Sequence, residues 1–321
     1  MSLLPSLIYF CLLSVFTCAS DTPIIGILTQ EKYLVEKYLP ENDKSFIVAS
    51  YVKFLESAGA RVIPIWIGQD RDYYERVVNY TNGILFPGGG TYFTEDNGYG
   101  VAAKQIYHLA IKSNTKGTYY PIFGICLGMQ VLFFADVGND IRIQRSLKYI
   151  AVALNFTEGH ETSRLFSNAP RQILQILKSK NVTHNLHGFS ITVEKLKDLN
   201  ILGKWRILAT NVGEDDKEFI SAVEHKDYPI YGVQFHPEKN IYEFKENVGI
   251  PHTVDAIKSA QYFANFFVDE CRKNNNTFPS EKIEKESLIY NFHPLYTGIQ
   301  DSLYMQLYGF TKDDYRNHLL L

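Results

Sequence analysis

Short apolar runs alternate with amphipathic segments through the first half of the chain. Nearly continuous apolar stretches occupy positions 23–29, 62–66, 83–86 and 121–124. Runs of this kind are typical of strands that are buried on both faces of a sheet. Between them, helical spacing predicts helices over 46–58, 73–78 and 101–113. This alternation predicts an α/β fold, a three-layer α/β/α sandwich around a mostly parallel central sheet.

The second half of the chain has the pattern of strands in series, followed by one long helix. Apolar runs predict strands at 147–154, 190–193, 205–209, 219–223 and 230–235. The stretch 254–272 predicts the helix, because its apolar residues recur at core spacing. We expect a single domain over 21–321, which includes a C-terminal extension from about 274.

The first twenty residues have a different character from the rest. Positions 7–19 are mostly apolar, which is too short a run to span a bilayer comfortably. The run ends in the small residues Thr17-Cys18-Ala19-Ser20, a sequence of the kind that signal peptidase accepts. Asp21 and Pro23 then interrupt it, which disfavours a buried N-terminal helix. The pattern predicts a cleaved signal peptide over 1–20, and no later segment is apolar enough for a membrane anchor.

Composition narrows the choice of partner and compartment. The chain has 321 residues with 32 basic and 35 acidic side chains, a balance that argues against nucleic acid as its main partner. Four Asn-x-Ser/Thr sequons support passage through the secretory route, and we expect them to be glycosylation sites. They lie at Asn79, Asn155, Asn181 and Asn275.

Two cysteines remain once the signal peptide is removed, Cys126 and Cys271. In an oxidising compartment they could form one disulfide. Cys126, however, lies in a turn typical of nucleophiles, and Cys271 lies far along the chain near the end of a predicted helix. We therefore favour a reactive Cys126 over a disulfide.

Cys126 lies in the run Gly124-Ile125-Cys126-Leu127-Gly128, between an apolar strand and a predicted helix over 129–134. This is the nucleophile-elbow arrangement with cysteine in place of serine, in which the glycines leave room for a sharp turn. A helix N-terminus favours the thiolate, which is the reactive form of cysteine. The amide of Leu127 would point toward the reaction centre. A buried structural cysteine is the alternative, and the flanking glycines disfavour it.

His236 and Glu238 end the run Gly232-Val233-Gln234-Phe235-His236-Pro237-Glu238. In an extended chain, residues two apart face the same way, so this spacing predicts that the two side chains meet. A thiol nucleophile needs a base within hydrogen-bond reach, and the base needs an orienting acceptor. His236 is our candidate base and acid, and Glu238 is its candidate orienter. A histidine at a strand end is otherwise often a simple surface residue.

The run Pro87-Gly88-Gly89-Gly90 closes the third predicted strand. Successive glycines let backbone amides converge on an anionic oxygen, so Gly89 and Gly90 join Leu127 as candidate oxyanion donors. A tight turn is the simpler interpretation of three glycines. A phosphate-binding loop is disfavoured because no Lys-Ser/Thr pair follows.

Taken together, these runs resemble the class I glutamine amidotransferase-like superfamily and, within it, the secreted gamma-glutamyl hydrolase (folate conjugase) family. The runs that carry the resemblance include 86–89, 121–128, 154–157, 231–239 and 288–292. The resemblance implies a lysosomal or secreted homodimer that cleaves folylpoly-γ-glutamates through a thioester on Cys126, without metal or cofactor. It also implies that His187, in Asn185-Leu186-His187-Gly188-Phe189, belongs to the active site.

Two other functions remain open at this point. A glutaminase (glutamine amidotransferase) domain would use the same γ-amide chemistry, although the predicted signal peptide and sequons place this chain away from cytosolic biosynthesis. A non-catalytic folate-binding protein could keep the fold, but the presence of Cys126, His236 and Glu238 argues against it.

Overall fold

The computed structural model describes residues 21–317, so the predicted signal peptide at 1–20 lies outside the described residues. In chain order the strands are β1 Ile24–Leu28, β2 Gln30–Glu31, β3 Asp43–Val48, β4 Arg61–Ile65, β5 Gly83–Phe86, β6 Ile122–Ile125, β7 Ile143–Val152, β8 Asn155–Phe156, β9 Thr183–Ser190, β10 Trp205–Val212, β11 Glu218–His225, β12 Ile230–Val233, β13 Leu295–Tyr296 and β14 Gln306–Thr311. The α-helices are α1 Ala49–Glu56, α2 Arg71–Tyr80, α3 Tyr99–Thr115, α4 Leu127–Val137, α5 Arg171–Ser179, α6 Val193–Asp198, α7 Lys239–Tyr242, α8 Val254–Arg272, α9 Glu281–Ser287 and α10 Lys312–Asn317.

The central sheet has eight strands in the order β4-β1-β5-β6-β12-β11-β10-β8. The first five run parallel to one another, and the pairings β12-β11, β11-β10 and β10-β8 are antiparallel. The prediction of a mostly parallel sheet is therefore confirmed. At its centre, β6 lies between β5 and β12. The carboxyl ends of these three strands lead into Cys126, the glycine loop and His236, which therefore lie side by side.

Helices cover both faces of this sheet and give the expected three layers. Helices α2, α3 and α4 contact one another on one face, and α1, α5, α7 and α8 do so on the other. Neighbouring residues of β6 show the division, since side chains alternate along a strand. Phe123 stacks on Phe267 of α8, while Gly124 lies against the backbone of Gly128 in α4.

The predicted helix over 46–58 is wrong at its start. Residues Asp43–Val48 form β3, and the helix α1 begins only at Ala49. Strand β3 pairs with β14 of the C-terminal extension in a second sheet of order β13-β14-β3-β2. This pairing joins residues more than 250 positions apart and overrides the local helical spacing, since β-structure depends strongly on such context.

The predicted strand over 190–193 is also wrong. Strand β9 ends at Ser190, and helix α6 begins at Val193. The hydroxyl of Thr192 accepts a hydrogen bond from the Lys195 amide and so caps that helix. Strand β9 pairs instead with β7 in a separate two-stranded ribbon, which brings His187 to the carboxyl edge of the central sheet.

The helices of the described region are those of a layered α/β fold. Over residues 21–317, none of them combines the length and the apolar character that crossing a bilayer requires.

Candidate active site

Cys126 lies at a sharp turn between the last residue of β6 and the first residue of α4. Its backbone angles, φ 54° and ψ −109°, are unusual for a residue with a side chain and mark local strain. The neighbouring glycines are required, because a Cβ on Gly128 would lie 1.8 Å from the Phe86 carbonyl oxygen. The Cys126 amide donates to the Val233 carbonyl at 2.8 Å, which ties the turn to β12.

Two glutamine side chains hold the Cys126 thiol in place. The Nε2 of Gln234 donates to the sulfur at 3.5 Å. Gln130 donates to the Oε1 of Gln234 at 3.1 Å, which sets the orientation of that amide. Neither glutamine was singled out from the sequence. Their positions were nevertheless informative, since Gln130 follows Cys126 by one helical turn and Gln234 precedes His236 by two residues.

His236 and Glu238 form a buried hydrogen-bonded pair. Nδ1 of His236 lies 2.7 Å from Oε1 of Glu238, and both side chains are excluded from solvent. The expected pair is present, but the expected reason for it is wrong. Strand β12 already ends at Val233, and Glu238 has helical backbone angles at the start of α7. A turn, and not the alternation of an extended strand, brings the carboxylate to the imidazole.

The electrostatic surroundings of His236 favour its protonated form. Burial acts to lower its pKa, but the Glu238 carboxylate and Cys126 oppose burial and raise the pKa to about 9. Because Nδ1 faces Glu238, the other ring nitrogen is left for the hydrogen bond with Cys126. At neutral pH the imidazolium can therefore give a proton to a group that is bound beside the sulfur.

The glycine loop after β5 lies directly against these catalytic candidates. A Cβ on Gly88 would be 2.7 Å from Cε1 of His236 and 3.1 Å from Cβ of Cys126, so no larger residue fits there. The Gly88 amide donates to the Tyr51 hydroxyl at 2.8 Å, and that oxygen lies 3.4 Å from Nδ1 of His236. The Tyr51 hydroxyl thus accepts the hydrogen bond of the Gly88 amide, and the next amides of the loop remain for a ligand.

A cavity of about 620 Å³ opens over Cys126. Gly89, Gly90 and Leu127 line it, so the three predicted oxyanion donors lie together with the nucleophile. His187 also lines it, across from the turn. The cavity further contains the cations Arg142 and Lys148, which no sequence motif indicated.

His187 differs electrostatically from His236. Its Nδ1 lies 3.1 Å from the Arg145 carbonyl, which can only accept, so this nitrogen carries the proton. Burial lowers the pKa of His187 to about 4, and the ring is neutral at physiological pH. Among the described residues, Nε2 has no hydrogen-bond partner. This atom is buried, although other atoms of the residue line the cavity.

The disulfide alternative is wrong, since Cys126 and Cys271 are both free thiols. Cys271 lies in α8, fully buried beneath β5 near Gly83. Burial raises the pKa of this thiol well above its ordinary value, which makes it a structural cysteine. In the described part of the chain, no group of three or more His, Cys, Asp or Glu side chains is placed to hold a metal ion.

A strained cysteine at a strand-to-helix turn, with a buried histidine–carboxylate pair beside it, defines a cysteine-type hydrolase on an α/β scaffold. Comparison with known proteins agrees with this class. The model of the peptidase C26 family matches residues 23–238, and the chain belongs to that family.

Several curated relatives cover nearly the whole chain. It is 43% identical to human gamma-glutamyl hydrolase, over 90% of this chain and 89% of that protein. It is 40% identical to the rat gamma-glutamyl hydrolase, over 91% and 90% of the two chains. With gamma-glutamyl hydrolase B of Dictyostelium discoideum the identity is 35%, over 94% and 89%. The family resemblance drawn from the sequence motifs is confirmed.

Proposed function

We propose that the protein hydrolyses γ-glutamyl bonds of folylpoly-γ-glutamates and related poly-γ-glutamates. The observation that carries this proposal is the buried His236–Glu238 pair beside Cys126, at the base of a cavity with cationic side chains. The similarity to proteins named gamma-glutamyl hydrolase supports the choice of bond.

The proposed reaction has two halves. The Cys126 thiolate attacks the γ-carbonyl carbon, and the new oxyanion accepts hydrogen bonds from the amides of Leu127, Gly89 and Gly90. The His236 imidazolium gives its proton to the leaving nitrogen, the C–N bond breaks, and a γ-glutamyl thioester remains on Cys126. A water molecule then gives a proton to the neutral imidazole as its oxygen attacks the thioester, and the thiolate leaves. His187 lines the same cavity and so lies within reach of the bound substrate.

Mass spectrometry of the products tests the proposed reaction. Purified protein is incubated with pteroylpenta-γ-glutamate, and we expect shorter pteroylglutamates together with released glutamate or γ-glutamyl peptides. An α-linked glutamate peptide of equal length is the control and should stay intact. Ammonia from glutamine, with no cleavage of the polymer, would instead identify a glutaminase. Binding of the polymer without turnover would identify a folate-binding protein.

We infer that the protein passes through the secretory route as a glycosylated homodimer that reaches lysosomes and the medium. The four sequon asparagines are all exposed, which supports glycan attachment at Asn79, Asn155, Asn181 and Asn275. Expression in animal cells should give secreted and lysosomal protein that begins near Asp21. Light scattering should give a molar mass twice that of the protomer, and treatment with an endoglycosidase should lower this mass. A variant with all four asparagines changed to Gln is the control. A monomer, or a mass that the enzyme leaves unchanged, would contradict the inference.

A further inference from the structure

The cavity over Cys126 is locally positive although the chain carries a net charge of −3. Its charged lining residues, apart from histidine, are Arg142, Lys148 and Asp140. His187 adds no charge because burial keeps it neutral. Apart from Cys126, the cavity wall therefore carries one more cation than carboxylate.

Both cations belong to one segment of the chain. Arg142 immediately precedes the ribbon strand β7, and Lys148 lies in the middle of that strand. Lys148 pairs in register with Leu186 of β9, and the Leu186 carbonyl lies 3.9 Å from the Cys126 sulfur. Lys148 is exposed to the cavity and forms no ion pair with another residue of 21–317. Its ammonium is free to meet an anionic ligand.

Arg142 is held in a fixed position by three neighbours. Its Nε and Nη2 donate to the Asp140 carboxylate at 2.9 and 2.6 Å. Its guanidinium lies 3.9 Å above the ring of Phe93, and the exposed ring of Phe189 lies 5.7 Å away. Asp140 occupies the Nε–Nη2 edge of the planar group, so the N–H groups at its Nη1–Nη2 end remain as donors. A preorganised fork of this kind suits a carboxylate.

We propose that Arg142 and Lys148 form a subsite for the α-carboxylates that flank the scissile γ-glutamyl bond. This inference rests on the proposed function, and it names the residues that distinguish a γ-linked chain from an α-linked chain. A γ-linked polymer carries a free α-carboxylate on each residue, one beside the leaving nitrogen and one two methylenes from the attacked carbonyl. Within an α-linked chain, the α-carboxyl group beside the leaving nitrogen is itself part of an amide, and the free carboxylate of that residue lies two methylenes further away. The cation that faces the leaving residue then has no carboxylate at the same position. Discrimination follows because a carboxylate placed at these cations forms charge-assisted hydrogen bonds that a substrate without a carboxylate there does not form.

A pair of substrates that differ in one group tests the subsite. One is a γ-glutamyl dipeptide derivative with free α-carboxylates, and the other has α-carboxamides. For Lys148→Met we expect kcat/KM on the carboxylate substrate to fall about 10- to 100-fold, mainly through KM. The carboxamide substrate should change less than about threefold. Arg142→Met should show the same selectivity, and a folding defect would lower both rates equally. Lys116→Met, which removes an exposed charge remote from the cavity, is the matched control.

The outcomes separate the subsite from the proposed function. If the unmodified protein cleaves both substrates and Lys148→Met lowers both rates equally or neither, the subsite is refuted while the hydrolase stands. The same conclusion follows if Lys116→Met reproduces the effect. If the unmodified protein cleaves no γ-glutamyl substrate, the proposed function itself is overturned.

Discussion

Replacing Cys126 with Ser or Ala should lower γ-glutamyl hydrolysis by about 10⁴-fold or more, because the acyl intermediate forms on the sulfur of this residue. Serine keeps a nucleophilic atom, but its hydroxyl is far less acidic than a thiol. The backbone strain at φ 54° persists in both variants, so the thermal midpoint should change little. The measurement is single-turnover kinetics with a chromogenic γ-glutamyl substrate, together with thermal unfolding.

Cys271 is the matched control for this experiment. Cys271→Ala removes the other thiol of the described chain and should keep activity while it lowers stability, since it leaves a small cavity under β5. Iodoacetamide provides a second measure. Labelling of the folded protein should map to Cys126 alone, and the extent of labelling should equal the extent of inactivation. Residual activity after complete labelling of Cys126 would rule out its role as the nucleophile.

The parts of this molecule that are predictable from sequence are those whose signal is local. Strands β1, β4, β5 and β6 are nearly continuous apolar runs, and the flanking glycines indicate the turn at Cys126. Strand β3 has no such local signal, because its partner β14 lies at the far end of the chain. Nothing near positions 43–48 encodes that pairing.

The same distinction applies to the site. His236 and Glu238 are recognisable as a pair because only one residue separates them, although their spacing does not predict the turn that joins them. Tyr51, Arg142 and Lys148 reach the site only through the order of strands and the fold of the ribbon. Their contribution to the chemistry depends on tertiary contacts that no spacing in the sequence reveals.

Glu238→Gln should lower kcat about 10²- to 10⁴-fold and should shift the alkaline limb of the pH profile to lower pH. The Gln carbonyl can still accept the hydrogen bond from Nδ1 of His236, so the change removes mainly the negative charge. That charge is one of the two influences that hold the pKa of His236 near 9. Without it, only Cys126 opposes the effect of burial and the pKa falls, so the imidazolium that protonates the leaving amine is lost earlier as the pH rises.

The free energy of unfolding should also decrease as the pH rises. The pKa of His236 is about 9 in the folded chain and about 6.5 when unfolded, so its contribution is fully present below pH 6.5 and is lost as the pH rises to 9. Denaturant unfolding at pH 6 and pH 9 should show this loss, and Glu238→Gln should reduce the difference. Glu243→Gln removes another buried carboxylate, which accepts from the Met305 amide at 2.6 Å, and serves as the control. If both variants keep the alkaline limb of the unmodified protein, Glu238 does not set the protonation of His236. The pair would then serve the fold and not the proton transfer.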